Sequence, residues 1–197
     1  MSIIKQIIIS RTPKPRFPVL EGIKKRFSPR VFSPEPVPEK AMQCLFEAAR
    51  LAPSARNHQP WFFYWMRKET RSYNDLLSCL PERNMWAQTA PVLILACYDP
   101  TEPRDVTNKW ALYDLGQAVI SLILQVQELG YYCRQIGIFD LEKAKEVLRV
   151  MEPYNPFIVV ALGKLGKEED YRKADPEIVK KDIQASGRKE KIEEELK

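Results

Sequence analysis

Two arginines four positions apart flank a hydroxyl in the run Arg26, Phe27, Ser28, Pro29, Arg30, Val31, Phe32. Guanidinium groups give paired, charge-assisted hydrogen bonds to phosphate oxygens and a serine hydroxyl adds another, so this trio suits a phosphate monoester. Read alone, the same residues also describe two exposed arginines beside a turn. A second cluster, Pro53, Ser54, Ala55, Arg56, Asn57, His58, Gln59, Pro60 and Trp61, is a polar loop. Asparagine and glutamine amides carry both donors and acceptors and can answer the edge of a heterocycle. Proline, serine and asparagine are equally the usual residues of caps and turns. The third cluster runs from Arg134 through Gln135, Ile136, Gly137, Ile138 and Phe139 to Asp140. Glycine there lets a flat ligand approach the backbone, or simply serves a strand-to-helix turn.

Other chemistries lack their residues. His58 is the single histidine, so no histidine pair exists for a metal, and we read it as an exposed loop residue. No Ser-His-Asp or paired-carboxylate arrangement stands out, and no G-x-G-x-x-G run suggests a separate nucleotide domain. Cys44, Cys79, Cys97 and Cys133 have no C-x-x-C spacing and sit in apolar segments; they read as buried free thiols. The net charge of +5 comes from the first 30 residues, where eight basic side chains face one acid. Such a local cluster fits a phosphate or other local anion, whereas duplex nucleic acid wants a longer basic stripe. No nucleic-acid partner is expected. Arg11, Lys14 and Arg16 interrupt the amino-terminal apolar stretch before a leader core is complete, which favours the cytoplasm. Leu115 to Leu124 contains Gln117 and falls short of the roughly 20 apolar residues of a membrane span.

The elements that must position these clusters follow from periodicity and punctuation. A helix is expected from Val19 to Arg26, ended by the Ser28-Pro29 step. A second begins near Pro38 and runs to about Leu51, where Pro53 stops it. Trp61 to Met66 and Pro91 to Tyr98 read as strands, with a short helix through Leu76, Leu77 and Leu80 between them. The longest helix is expected from about Asp105 to Gly130 and is apolar on most sides, so it belongs at the centre of the domain or at a subunit interface. Tyr131 to Ile136 and Phe157 to Leu162 read as further strands, separated by a helix that Asp140 caps and that runs to about Met151. From Lys164 onward the apolar periodicity fades into a charged tail with a final helix from Ser186 to Leu196. With 197 residues, 45% of them hydrophobic, one α+β domain is expected.

Taken together, the clusters resemble the nitroreductase family. Its arginine-serine-basic opening is matched by Arg26, Ser28 and Arg30. Its proline-serine-x-x-asparagine-x-glutamine-proline-tryptophan loop is matched by Pro53, Ser54, Asn57, Gln59, Pro60 and Trp61. Ala90-Pro91, Asp114 with Gly116, and Gly137 before Phe139-Asp140 follow in the family's order. The resemblance covers about residues 20 to 180.

That resemblance implies a mostly antiparallel central sheet flanked by helices, and a homodimer with FMN at its interface. It divides the chain into an extension, 1–19, an FMN-binding domain, 20–180, and a charged tail, 181–197. Arg26 and Arg30 are expected on the FMN phosphate with Ser28 assisting and Phe27 between them. Pro53, Ser54, Ala55, Asn57 and Gln59 should approach the flavin from the second subunit. Gln135, Ile136 and Gly137 should line the ring through backbone groups, with Asn84 nearby. Arg172 is expected as a second phosphate-binding arginine, with Lys173 as its substitute. The activity implied is ping-pong hydride transfer from NAD(P)H to a nitroaromatic, quinone or related acceptor, the chemistry residing in FMN and not in a protein nucleophile. Trp86, Trp110 or Tyr113 would stack on nicotinamide. A flavin store or sensor would need the same binding residues.

Overall fold

The protein is described by a computed structural model covering residues 1–102, 106–184, 187–189 and 192. Its helices are α1 (Ile3–Arg11), α2 (Glu21–Lys25), α3 (Glu39–Arg50), α4 (Arg71–Leu77), α5 (Ala111–Glu128), α6 (Leu141–Val147), α7 (Glu168–Lys173) and α8 (Pro176–Ile183). The strands are β1 (Trp61–Arg67), β2 (Val92–Tyr98), β3 (Thr101–Glu102), β4 (Val106–Thr107), β5 (Tyr132–Ile136) and β6 (Asn155–Gly163). The main sheet has the order β1-β2-β6-β5, and every pairing in it is antiparallel. β3 and β4 form a separate small hairpin. The class is α+β, as the order of elements suggested.

β2 is the most apolar strand because it lies inside the sheet and is covered on both faces. Alternate residues divide between two cores. Val92, Ile94 and Ala96 join α3 and α5, while Leu93, Leu95 and Cys97 face α4, α6 and the 3-10 helix over Glu82–Thr89. α3 buries Met42, Leu45 and Ala49 at helical spacing, and its charges, Glu39 in the first turn and Arg50 in the last, suit the helix dipole. Gly130 ends α5 in the left-handed region (φ 74°), as its place in the sequence suggested.

Several expectations need correction. The long helix starts at Ala111: Asp105 lies outside the described residues, Val106 and Thr107 pair with β3, and Asn108 Oδ1 accepts from the Trp110 N–H at 3.1 Å. The final helix expected over Ser186 to Leu196 falls largely outside the described residues. Residues 164–183 are no loose tail. Tyr171 is buried in a third core with Ile7, Phe27 and Val31, and α1, α7 and α8 pack around it. Residues 1–19 likewise hold α1, whose first N–H groups, those of Ile3 and Ile4, donate to the Glu168 carboxylate at 3.2 and 3.4 Å. These elements were illegible as core because each offers only a few apolar residues, and the core forms only when opposite ends of the sequence meet.

Candidate functional site

The segment carrying Arg26, Ser28 and Arg30 leaves α2 in extended form and is pinned along the end of β6. Phe32 bridges Leu165, Ser33 N–H donates to Lys164 O at 2.9 Å, and Gly166 N–H donates to Val31 O at 3.1 Å. Phe27 turns inward against Tyr132, with ring centroids 4.9 Å apart, so its neighbours Arg26 and Ser28 face a cavity of about 460 Å³. Arg26 Nη1 lies 3.5 Å from Ser28 Oγ. Arg30 is fixed from behind: its N–H donates to Asp182 Oδ2 at 2.7 Å and its Nη1 to Oδ1 at 3.0 Å. Tyr171 donates its hydroxyl to the same Asp182 at 3.1 Å. Asp182 is fully buried on α8, and its three donors explain how a carboxylate is tolerated there.

β5 contributes a third arginine. Arg134 Nη1 donates to Ser28 O at 2.6 Å, and its guanidinium sits 5.4 Å over the buried Trp86 ring. Burial, then the charge of Arg30, pushes the Arg134 pKa down to about 10. Burial also lowers the Arg11 pKa, opposed by Asp182. Arg11 reaches the cavity from α1, while Lys181, Gln184 and Arg188 reach it from the carboxyl end. A hollow where partly desolvated guanidinium groups lower one another's pKa is built to receive an anion.

The loop 53–60 is a strained turn ahead of β1. Arg56, Asn57 and Gln59 all have positive φ (52°, 60° and 49°) although none is glycine. Such conformations persist only where surroundings enforce them, and they gather at functional sites. Three contacts do the enforcing. Ala55 N–H donates to Asp114 Oδ2 at 3.0 Å, Gln59 N–H to Ser54 Oγ at 3.0 Å, and Arg56 Nη1 to Glu102 Oε2 at 3.0 Å. Pro53, Asn57 and Gln59 are exposed. His58 is half-buried, not exposed as expected, and its Nε2 lies 3.7 Å from Glu102 Oε2.

β5 is an edge strand, so half of its main-chain groups face away from β6. Gln135 is exposed and Gly137 stands in open space, while the Ile136 side chain is buried in the second core, leaving only its backbone available to a ligand. Asn84 Nδ2 donates to Ile138 O at 3.2 Å and ties the 3-10 helix to this turn.

The structure therefore brings Arg26, Phe27, Ser28, Arg30, Asn84, Gln135, Ile136 and Gly137 to the β5 edge. It puts Pro53, Ser54, Ala55, Asn57 and Gln59 at the start of β1, the opposite edge of the same sheet. Arg172 joins neither group. Tyr171 is the inward residue of α7, so Arg172 faces out, 73% exposed and 3.9 Å from Glu168, and Lys173 is exposed too. Trp86 is core and cannot cover a nicotinamide, whereas Trp110 and Tyr113 are exposed. Arg11, Arg134, Lys181 and Asp182 were missed. The excess of positive charge in the first 30 residues was the one available signal, and it pointed to Arg11. Among the described residues no group of His, Cys, Asp and Glu side chains could hold a metal ion, and no helix is long and apolar enough to cross a membrane.

Known proteins resemble this chain in sequence and in fold. A protein of Archaeoglobus fulgidus bearing an NADH dehydrogenase/NAD(P)H nitroreductase name is 29% identical over 163 residues, 79% of this chain and 90% of its own. One of the same name from Methanothermobacter thermautotrophicus is 30% identical over 152 residues, covering 74% of this chain and 76% of its own. A solved structure described as an oxidoreductase containing FMN superposes with a TM-score of 0.81 at 26% identity, covering 89% of this chain and 90% of that one. The sequence pattern of the Nitroreductase family matches residues 23–164. The chain belongs to the nitroreductase family of oxidoreductases.

Proposed function

We propose that this chain binds FMN and oxidises NAD(P)H, passing the hydride to a nitroaromatic, quinone or related acceptor in two successive half-reactions. The observation that carries this reading is the arginine-lined cavity beside the free edge of β5. Arg26, Ser28, Arg30 and Arg134 fit a phosphate monoester in number, charge and donor geometry. Bound there, the flavin supplies the hydride chemistry. The chain's residues bind and orient. Asp182 locks the Arg30 guanidinium, and outward main-chain groups of Gln135, Ile136 and Gly137 can bond the ring edge. Asn84 holds their turn, and Phe27 anchors the phosphate segment in the core.

Pro53, Ser54, Ala55, Asn57 and Gln59 approach a flavin only from a second copy in this reading. The two clusters lie on opposite edge strands, three strand spacings or ~14 Å apart. α5 supports such a homodimer. It leaves Leu112, Tyr113 and Ile120 exposed along one side, an apolar face that a second copy could cover. The testing experiment is an absorbance spectrum after gel filtration, followed by NAD(P)H oxidation with menadione. A flavin band near ~450 nm that stays with the protein is expected. A colourless protein that takes up no FMN would refute the reading, and flavin binding without turnover would make it a store.

A further inference from the structure

The family match ends at residue 164, and the helix that reaches the arginine-lined cavity from beyond it brings an acid as well as a cation. Asp182 stands on α8 and is fully buried. Both of its oxygens are engaged. Oδ2 accepts the Arg30 N–H at 2.7 Å and the Tyr171 hydroxyl at 3.1 Å, while Oδ1 accepts Arg30 Nη1 at 3.0 Å. One carboxylate, 152 residues away in sequence, thus holds Arg30 at both its main chain and its guanidinium. The rest of the guanidinium fork is left to the cavity that Arg30 lines.

On charge alone Asp182 opposes a bound phosphate. Burial lowers the pKa of Arg11 and of Arg134, and the Asp182 charge works against that lowering in both. All three arginines line the cavity, so without this carboxylate the hollow would be more positive and would attract an anion more strongly. What Asp182 contributes is geometry. An arginine that rotates freely loses that freedom when it clamps a phosphate, whereas one already fixed does not. Asp182 is in turn fixed by Tyr171, which is buried in the third core with Phe27, the residue between Arg26 and Ser28. Burial, then the charge of Asp182, pushes the Tyr171 pKa up, so its hydroxyl keeps its proton and donates. The same core therefore sets the phosphate segment from one side and the partner of Arg30 from the other.

Resting on the phosphate reading above, we propose that Asp182 is a positioning residue for FMN. With Tyr171 behind it, Asp182 sets Arg30 in the phosphate-receiving orientation before the cofactor arrives. α7 and α8 thereby help the chain tell FMN from riboflavin without touching either. Were Asp182 only a counter-charge, neutralising it would tighten FMN. As a positioning residue, its neutralisation weakens FMN and spares riboflavin.

The test is fluorescence titration of the full chain, stripped of flavin, with riboflavin and with FMN, for the wild type, Asp182→Asn and Tyr171→Phe. Asparagine keeps the size of the side chain but offers one acceptor oxygen where Arg30 presents two donors, so one of the two bonds is lost. FMN should weaken at least about tenfold, the scale of one charge-assisted hydrogen bond, and riboflavin should change less than about twofold. In an Arg30→Ala background the same substitution should leave FMN affinity unaltered, as expected when one residue acts only through the other. Tyr171→Phe removes one hydroxyl and leaves the ring in its core. It should weaken FMN about threefold with riboflavin again unchanged, within the range of a single hydrogen bond, and it carries the test if Asp182→Asn does not fold. FMN unchanged or tighter in either variant, FMN and riboflavin weakened alike, or an added loss in the Arg30→Ala background overturns the proposal and leaves the phosphate reading standing. Wild-type protein that binds FMN no tighter than riboflavin overturns the phosphate reading itself.

Discussion

Arg26 and Arg30 look equivalent in the sequence and are not equivalent in the structure. Arg26 lies 3.5 Å from Ser28 Oγ, whereas Arg30 is bonded twice to a fully buried carboxylate. Replacing either with alanine should weaken FMN by about 1.5–3 kcal/mol and riboflavin much less. Only Arg30→Ala should also destabilise the fold, by about 3 kcal/mol, because it strips a partner from buried Asp182; thermal melts of the two ligand-free variants check this. Arg134 supplies a complementary test. Its folded-state pKa of about 10 lies below the ordinary arginine value, so the charged form is disfavoured in the fold. That cost is present at every pH below about 10 and is relieved only as pH rises through it. An anion should relieve it at neutral pH: inorganic phosphate at a hundred times its Kd should stabilise the ligand-free protein by about 2.7 kcal/mol. Arg134→Met should lose most of that gain. The arginine-serine-arginine trio was legible because its members are neighbours in sequence. Arg134 and Asp182 were not, since what makes them matter is proximity across more than a hundred residues.

The loop 53–60 gains its shape from elements it does not touch in sequence. Its motif was readable; its strain was not, because nothing in Arg56, Asn57 and Gln59 announces a left-handed backbone. Asp114, near the start of α5, and Glu102, on β3, hold it. Asp114 is buried and accepts from the Ala55 N–H and from Gln117 Nε2. Asp114→Ala leaves those donors without a partner and should cost about 1–3 kcal/mol in stability. Flavin affinity should fall with it although residue 114 lies outside the expected contact set. An unchanged affinity would show that the loop holds its shape without α5. The same distinction explains which elements were legible. α3, β2 and β6 carry their own apolar pattern, and their limits came out within a few residues. α1, α7 and α8 each lend a few side chains to a shared core that no single stretch displays.

The arrangement of both edges around one sheet makes the assembly testable without a structure of the dimer. If the β1-edge loop of one copy completes the β5-edge site of another, Asn57→Asp and Arg26→Glu subunits should complement. In a mixed dimer one site collects both lesions and the other neither. Random exchange makes about half the dimers mixed, so FMN binding and NAD(P)H oxidation should recover to about a quarter of wild type. Recovery no greater than the average of the parent variants, with exchange confirmed, would mean that each subunit holds its flavin alone. Diluted wild-type protein should show no folded monomer.

The arginine-lined cavity is walled by a strand of the main sheet and by helices from the two ends of the chain. Arg134 stands on β5, within the main sheet, but Arg11 rides on α1 and Lys181 on α8, and these two helices pack chiefly on each other and on α7. If α1 and α8 open locally more often than the sheet does, the residence time of a bound anion should follow that opening as well as the strength of the arginine contacts. Amide hydrogen exchange in α1 should slow on loading with phosphate while the β2 core is unchanged. A substitution such as Ile7→Ala, far from any ligand, should hasten flavin release by loosening the helix that carries Arg11.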